Sequence, residues 1–265
     1  MLHDYCFFEY NTVKTSTQLD SEILLFNSLT HKRIIDYILY LQKILGKEKV
    51  VWGIKHNCNE QSWEFYFYNW DKKTELTMTN IFDISKDFFI TEIIPNENIP
   101  YFMFSIDITE ELFDTQKLHA VHIYLEGANF RQHGGSYLLS KNNVEFENTY
   151  STYNPTNKEQ REHLIGSIFK SPRVDFTKVD ISKLLWTELF NCYTICLSRK
   201  RFCEGIYYSR LNIEQFLIFL KKFNYDYKFI EQNKNKLDYL KFDVGFDYTY
   251  DTDLQLIKSG YYGIF

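Results

Sequence analysis

The run Ser62-Trp63-Glu64-Phe65-Tyr66-Phe67-Tyr68-Asn69-Trp70 constrains the fold more than any other part of this chain. Side chains alternate across a strand, so Trp63, Phe65 and Phe67 share one face while Glu64, Tyr66 and Tyr68 share the other. One face suits burial against other elements, and the opposite face carries hydroxyls and a carboxylate. The alternation returns in Tyr101-Phe102-Met103-Phe104-Ser105-Ile106-Asp107-Ile108, with 117–126 as the expected partner strand. Repeated along a chain with helices between the strand pairs, this pattern describes a sheet or barrel with a polar, tyrosine-rich interior.

Further strand pairs are expected at 50–56 with 62–70, 136–140 with 144–150, 192–200 with 205–210, and 241–250 with 256–265. Between them lie helix signals. Ile34, Ile38, Leu41 and Leu45 form one stripe of a helix over 31–45, which Gly46 can stop. A weaker helical stretch covers 80–89. Asn154-Pro155 reads as an N-cap followed by proline in the first turn, and Asp180 can cap a short helix. Asn212-Ile213-Glu214-Gln215 resembles a capping box, and Ile213, Phe216, Leu217, Leu220 and Phe223 continue it as an apolar stripe. A further helix is expected over 229–240. The class is therefore α+β: a large antiparallel sheet or closed barrel of about ten strands, with helices packed outside, in a single domain spanning 1–265. Closure would remove the edges that so aromatic a sheet otherwise exposes.

Composition excludes several functions. A formal net charge of -5 leaves no basic surplus for general nucleic-acid binding. No apolar stretch reaches the roughly 18 residues of a membrane span, and Met1-Leu2-His3-Asp4-Tyr5 lacks a secretory pattern, so a cytoplasmic protein is expected. Cys6, Cys58, Cys192, Cys196 and Cys203 are scattered, without the spacing of a zinc site, and reduced thiols are expected. The 24 Phe and 21 Tyr fit a nucleotide-biased genome, but that bias does not explain where the tyrosines fall. There is no P-loop, no Gly-x-Gly-x-x-Gly and no Gly-x-Ser-x-Gly elbow.

With Ser105-Ile106-Asp107-Ile108 followed by 118–126, the order of elements resembles the ABBA, or PT-barrel, prenyltransferases, and among them the small peptide-modifying cyanobactin enzymes. The resemblance implies αββα units around a ten-stranded barrel whose lumen is the active site. It implies an allylic, dimethylallyl-type diphosphate as donor and a peptide or small aromatic acceptor, and it leaves a Mg2+ requirement open. If the aromatic faces pack against helices, the inward set includes Tyr101, Asp107, His122, Asp243 and Asp247 beside the residues given roles here. In that chemistry Lys55, Lys200 and Lys258 hold the diphosphate, Tyr66, Tyr68, Tyr124 and Tyr262 shield the allyl cation, and Glu64 takes the proton lost by the acceptor. Arg199-Lys200-Arg201 reads as a solvated hairpin end or as a contact for an anionic substrate. The other reading of the polar face is the wet side of an open sheet, in a non-catalytic small-ligand-binding or interaction domain of another bacterial family.

Overall fold

The computed structural model describes residues 15–57, 60–69, 74–127, 134–251 and 253–265. Trp70, Cys6, Cys58 and the Met1–Tyr5 pattern lie outside the described residues. In chain order the elements are α1 (Glu22–Ser28), α2 (Lys32–Leu45), β1 (Val51–Asn57), β2 (Glu60–Tyr68), α3 (Met78–Ile84), β3 (Ile90–Thr91) and β4 (Tyr101–Ile108). There follow α4 (Glu110–Thr115), β5 (Lys117–Leu118), β6 (Ala120–Leu125), β7 (Gly134–Ser140), β8 (Asn143–Tyr153) and α5 (Lys158–Phe169). The remainder are β9 (Ile195–Lys200), β10 (Glu204–Leu211), α6 (Ile213–Lys222), α7 (Lys228–Gln232), α8 (Lys234–Leu237), β11 (Phe242–Tyr250) and β12 (Leu254–Ile264). Ten strands form a closed antiparallel barrel in the order β1-β12-β11-β10-β9-β8-β7-β6-β4-β2, while β3 and β5 make a separate parallel pair. Helices surround the barrel. None among the described residues is long and apolar enough to cross a membrane.

The chain divides into two compact units. One comprises Glu22–Lys55, Gln61–Thr149 and Gly263–Phe265. Here the alternation of β2 sorts its residues as the sequence requires. Phe65 faces α2, where Tyr37 stacks on it at 6.2 Å and also meets Phe89 and Phe113 at 5.6 and 5.7 Å. Ile34, Ile38 and Leu41 complete the buried stripe of α2, which ends at Gly46 with φ 92°. Burying each such side chain stabilises the unit by about 1.5–3 kcal/mol. The Tyr37 hydroxyl is also satisfied, by Ser85 Oγ at 2.9 Å. Across the sheet, β2 pairs with β4 so that Glu64 lies opposite Asp107 and Tyr66 opposite Ser105, and Ser105 in turn lies opposite His122 of β6. These residues share the face turned away from the helices.

The other unit is built from Tyr150–Tyr262 with short flanking pieces. Its organising helix is α6, opened by the capping box: the Asn212 side chain accepts from Gln215 N, and the Gln215 side chain from Asn212 N. Phe216 stacks on Phe242 at 4.1 Å and meets Tyr261 edge-on at 5.3 Å, and Trp186 stacks on Phe246 at 4.8 Å. The odd residues of β11 therefore turn to the interior. Their cross-strand partners place Asp243 against Tyr262, Gly245 against Gly260 and Asp247 against Lys258.

Several expected boundaries shift for local reasons. The helix expected at Asn154-Pro155 starts one turn later, because Asn154 Oδ1 accepts from Thr156 in a turn of its own and Asn157 caps α5. The stretch expected as a helix over 229–240 is two short ones, α7 and α8, meeting at Asn233. Thr109 caps α4, a helix between the paired strands β4 and β6 that the apolar pattern does not announce. Tyr101 leaves the inward set: a register irregularity between Tyr101 and Met103 turns its hydroxyl to Met78 N–H at 3.0 Å, beside Glu97.

Candidate active site

In the first unit, Glu64 is the centre of a buried polar cluster, only 1% exposed. One of its oxygens accepts from the Tyr66 hydroxyl at 2.7 Å and pairs with the Lys55 ammonium. The other accepts from Ser105 Oγ, with the Tyr124 hydroxyl at 3.4 Å. A carboxylate so deep in the sheet is tolerated only because hydrogen bonds and a countercharge satisfy it. Lys55 also lies 3.8 Å from the half-exposed Asp107. Asp107 accepts at 3.1 Å from His122 Nε2, whose Nδ1 meets Glu147 at 2.7 Å. Burial opposes the charged imidazole, but hydrogen bonds to Asp107 and Glu147 outweigh it and hold His122 above its ordinary value of 6.5. The ring is held between two carboxylates that favour its charged form.

Glu64, Asp107 and His122 offer three donor atoms within 4.8 Å of one another. They do not fit a divalent ion, because Lys55 already supplies the cation between the two carboxylates. With Glu147 these groups form one ion network, linked by Lys55 and His122.

The second unit holds a different constellation. Lys200 Nζ donates to Asp247 at 2.7 Å, and Asp247 also accepts from the Tyr207 hydroxyl at 3.2 Å. Burial alone would lower the Lys200 pKa; Asp247 and Tyr150 reverse this and keep the ammonium protonated. Burial, then the neighbouring Asp247 and Tyr150, push the Tyr207 phenol far up, so it stays a hydrogen-bond donor. Burial, then Tyr207, does the same to Tyr262. Lys258 lies across from Asp247. Burial and Asp247 raise the Cys203 thiol, while Lys200, Arg173 and Lys258 pull it down, so all three cations lie near that thiol, with Arg173 donating to the carbonyls of Lys200 and Arg201. Ser198 Oγ is buried near Tyr207 yet makes no well-formed hydrogen bond.

The Tyr207 ring lies against Gly245, where any Cβ would overlap it. Gly245→Val should therefore expel the ring and destabilise the protein by about 1–3 kcal/mol. Tyr207→Ala should recover most of that loss in a double-mutant cycle read by urea denaturation. Additive losses would show that the ring does not depend on the glycine.

Asp243 is buried with its Oδ1 accepting from Arg210 N at 2.6 Å, at the bulge between Tyr208 and Leu211 where Arg210 has φ 55°. Burial raises its pKa well above 3.8, against the lowering effect of the Arg210 amide. A folded pKa above the unfolded one means that stability is fully present below pH 3.8 and declines as pH rises towards the folded value. Asp243→Asn should flatten that decline relative to wild type across the same range. Parallel pH–stability curves would contradict the burial argument.

The sequence-derived residues thus fall into two groups. Lys55, Glu64, Tyr66 and Tyr124 come together in the first unit, with Tyr68 on the same face opposite Met103. Lys200, Lys258 and Tyr262 belong to the second. In Arg199-Lys200-Arg201 the hairpin end is solvated at Arg201 alone, next to the exposed Phe202. Arg199 pairs with the buried Glu204 on the helix side, Lys200 turns to Asp247, and the Arg201 guanidinium lies 5.0 Å from the Phe202 ring centre. Residues missing from the sequence reading are Glu147, Tyr207 and Arg173. The alternation Val144-Glu145-Phe146-Glu147 was a sufficient signal for the first of them. Cys192, Cys196 and Cys203 are free thiols.

No family model matches the chain. A protein of Acanthamoeba polyphaga mimivirus named for a JmjC domain is 36% identical over 63 residues, which is 24% of this chain. The match spans about a tenth (10%) of that relative's length. Among solved structures, 5-dimethylallyl tryptophan synthase from Streptomyces coelicolor, in complex with DMASPP and Trp, superposes with a TM-score of 0.50 at 7% identity. That match covers 89% of this chain and 90% of the other. A binary complex of PriB with product diphosphate gives a TM-score of 0.47 at 9% identity, covering 89% and 91%. The chain has a PT-barrel prenyltransferase-like fold.

Proposed function

We propose that this barrel, working as one domain in the cytoplasm, transfers a dimethylallyl-type group from an allylic diphosphate to an aromatic or peptide acceptor. The observation that carries the reading is Glu64, a fully hydrogen-bonded carboxylate buried on the polar face of a PT barrel, with tyrosines beside it. Ionisation of an allylic diphosphate leaves an anion and a carbocation. The cation group of the second unit suits the anion: among the described residues Lys200 and Lys258 stand at Asp247 with Arg173 near Cys203, and Tyr207 and Ser198 add donors. In the first unit Tyr66 and Tyr124 present π faces for a cation and Glu64 receives the acceptor's proton. Lys55, bound to Glu64, sets the charge of that base and is a weaker candidate for holding diphosphate.

The test is to incubate the purified protein with dimethylallyl diphosphate and a tyrosine- or tryptophan-containing cyclic peptide, with and without Mg2+, and to look for the prenyl mass gain. Donor affinity, measured calorimetrically, should fall about tenfold or more in Lys200→Ala and in Lys258→Ala. One observation favours a second reading as a ligand-binding domain: Lys200 and Lys55 are already neutralised by carboxylates. Donor binding without transfer across several acceptors would select it, and absence of both would overturn the prenyl-transfer reading.

A further inference from the structure

The charge balance around Glu64 has a directional feature. If His122 is counted as a cation, the network holds three carboxylates, Glu64, Asp107 and Glu147, against two cations, Lys55 and His122. Even with His122 charged, carboxylates outnumber cations by one among these described groups. Protonating Glu64 would ordinarily strand the buried Lys55 ammonium, at a cost of several kcal/mol. Yet Asp107 already stands 3.8 Å from Lys55 Nζ, directly across the strand pair from Glu64. His122, itself balanced by Glu147, holds Asp107 in that position. Among the described residues, the hydroxyls of Tyr66, Ser105 and Tyr124 also face Glu64, donate to it and carry no charge.

We propose that Asp107 is the second resting place of the Lys55 ammonium, so that Glu64 accepts a proton while Lys55 exchanges one carboxylate partner for the other. Asp107 is a positioning residue for the base, and His122, with Glu147 behind it, positions Asp107. The step balances without a co-reactant. The acceptor's bond to hydrogen breaks, its electron pair stays on the acceptor, and the proton bonds to a Glu64 oxygen. Lys55 keeps all three of its protons and changes only its ion pair. The inference rests on the prenyl-transfer reading only for where the proton comes from; the exchange of partners is a property of the resting protein.

Glu64→Gln imitates the protonated base with nearly the same shape, and the experiment needs no diphosphate. Lys55→Met and Asp107→Asn are combined in a double-mutant cycle of folding stability, once with Glu64 and once with Gln at position 64. The Lys55–Asp107 coupling should rise about tenfold, expressed as an equilibrium constant, when Glu64 is neutral. An equal coupling in both backgrounds overturns the proposal. Because Lys55→Met leaves Glu64 without its countercharge and can prevent folding, a second measurement keeps Lys55 in place. The 15N signal of its ammonium should remain protected from exchange in Glu64→Gln and lose protection in Glu64→Gln/Asp107→Asn. Equal protection in those two proteins also overturns it. Neither readout depends on transfer, so failure of the prenyl assay and failure of this exchange are separate results.

Discussion

Glu64→Gln should reduce prenyl transfer by about 10²- to 10⁴-fold, the usual range for loss of a general base, while leaving donor affinity within a few-fold of wild type. The amide keeps the size of the carboxyl group, and its single oxygen still accepts from either Tyr66 or Ser105, which bond different oxygens of the carboxylate, so the loss reports mainly on proton acceptance and not on packing. It cannot imitate the charge that takes the acceptor's proton. Single-turnover mass spectrometry with saturating donor measures the chemical step directly. Tyr66→Phe removes one hydrogen bond, at 2.7 Å, to the same carboxylate and should act in the same direction by a smaller factor. Equal transfer rates in wild type and Glu64→Gln would show that the proton leaves by another route. The tyrosine face would then retain only its part in shielding the cation.

Alternation was legible in the sequence because it is enforced residue by residue: a strand has only two faces, and burial of Trp63, Phe65 and Phe67 commits Glu64, Tyr66 and Tyr68 to the opposite one. The ten strands and their antiparallel order follow from the same signal repeated, and the capping box of α6 from a local hydrogen-bond exchange. Partners across strands were not legible. Alternation gives the face of Lys55 and of Lys200 but not the carboxylate each meets, since that depends on register between separated segments. Lysines read from sequence as free anion ligands are thus found in ion pairs. Irregularities defeat the pattern altogether, as at Tyr101, where one shift in pairing moves a tyrosine from the polar face to the helix side. Gly245 carries no periodic signal, yet it decides where the Tyr207 ring lies.

Removing Gly260–Phe265 should destroy most of the stability of the fold. Tyr261, Tyr262 and Phe265 are each less than a tenth exposed, at 8%, 8% and 2%. Phe265 packs edge-on against Phe65 at 5.0 Å, and its backbone exchanges hydrogen bonds with Val50. Tyr261 meets Phe216 and Tyr225 edge-on, each at 5.3 Å. At about 1.5–3 kcal/mol for each buried side chain, the three together account for several kcal/mol, against a total of about 5–15 kcal/mol for a typical domain. The deletion also unpairs Asp243, Val244 and Gly245 of β11 from Tyr262, Tyr261 and Gly260, leaving an aromatic strand with an open edge. A soluble truncated protein should therefore melt about 10–20 °C below the full chain, and aggregation during expression is the expected alternative form of the same loss. Tyr262→Phe, which keeps the ring and removes only a hydroxyl, should move the midpoint by no more than a few degrees. If scanning calorimetry finds the truncated chain melting with the full one, the closing strand contributes no stability and the barrel does not depend on its seam.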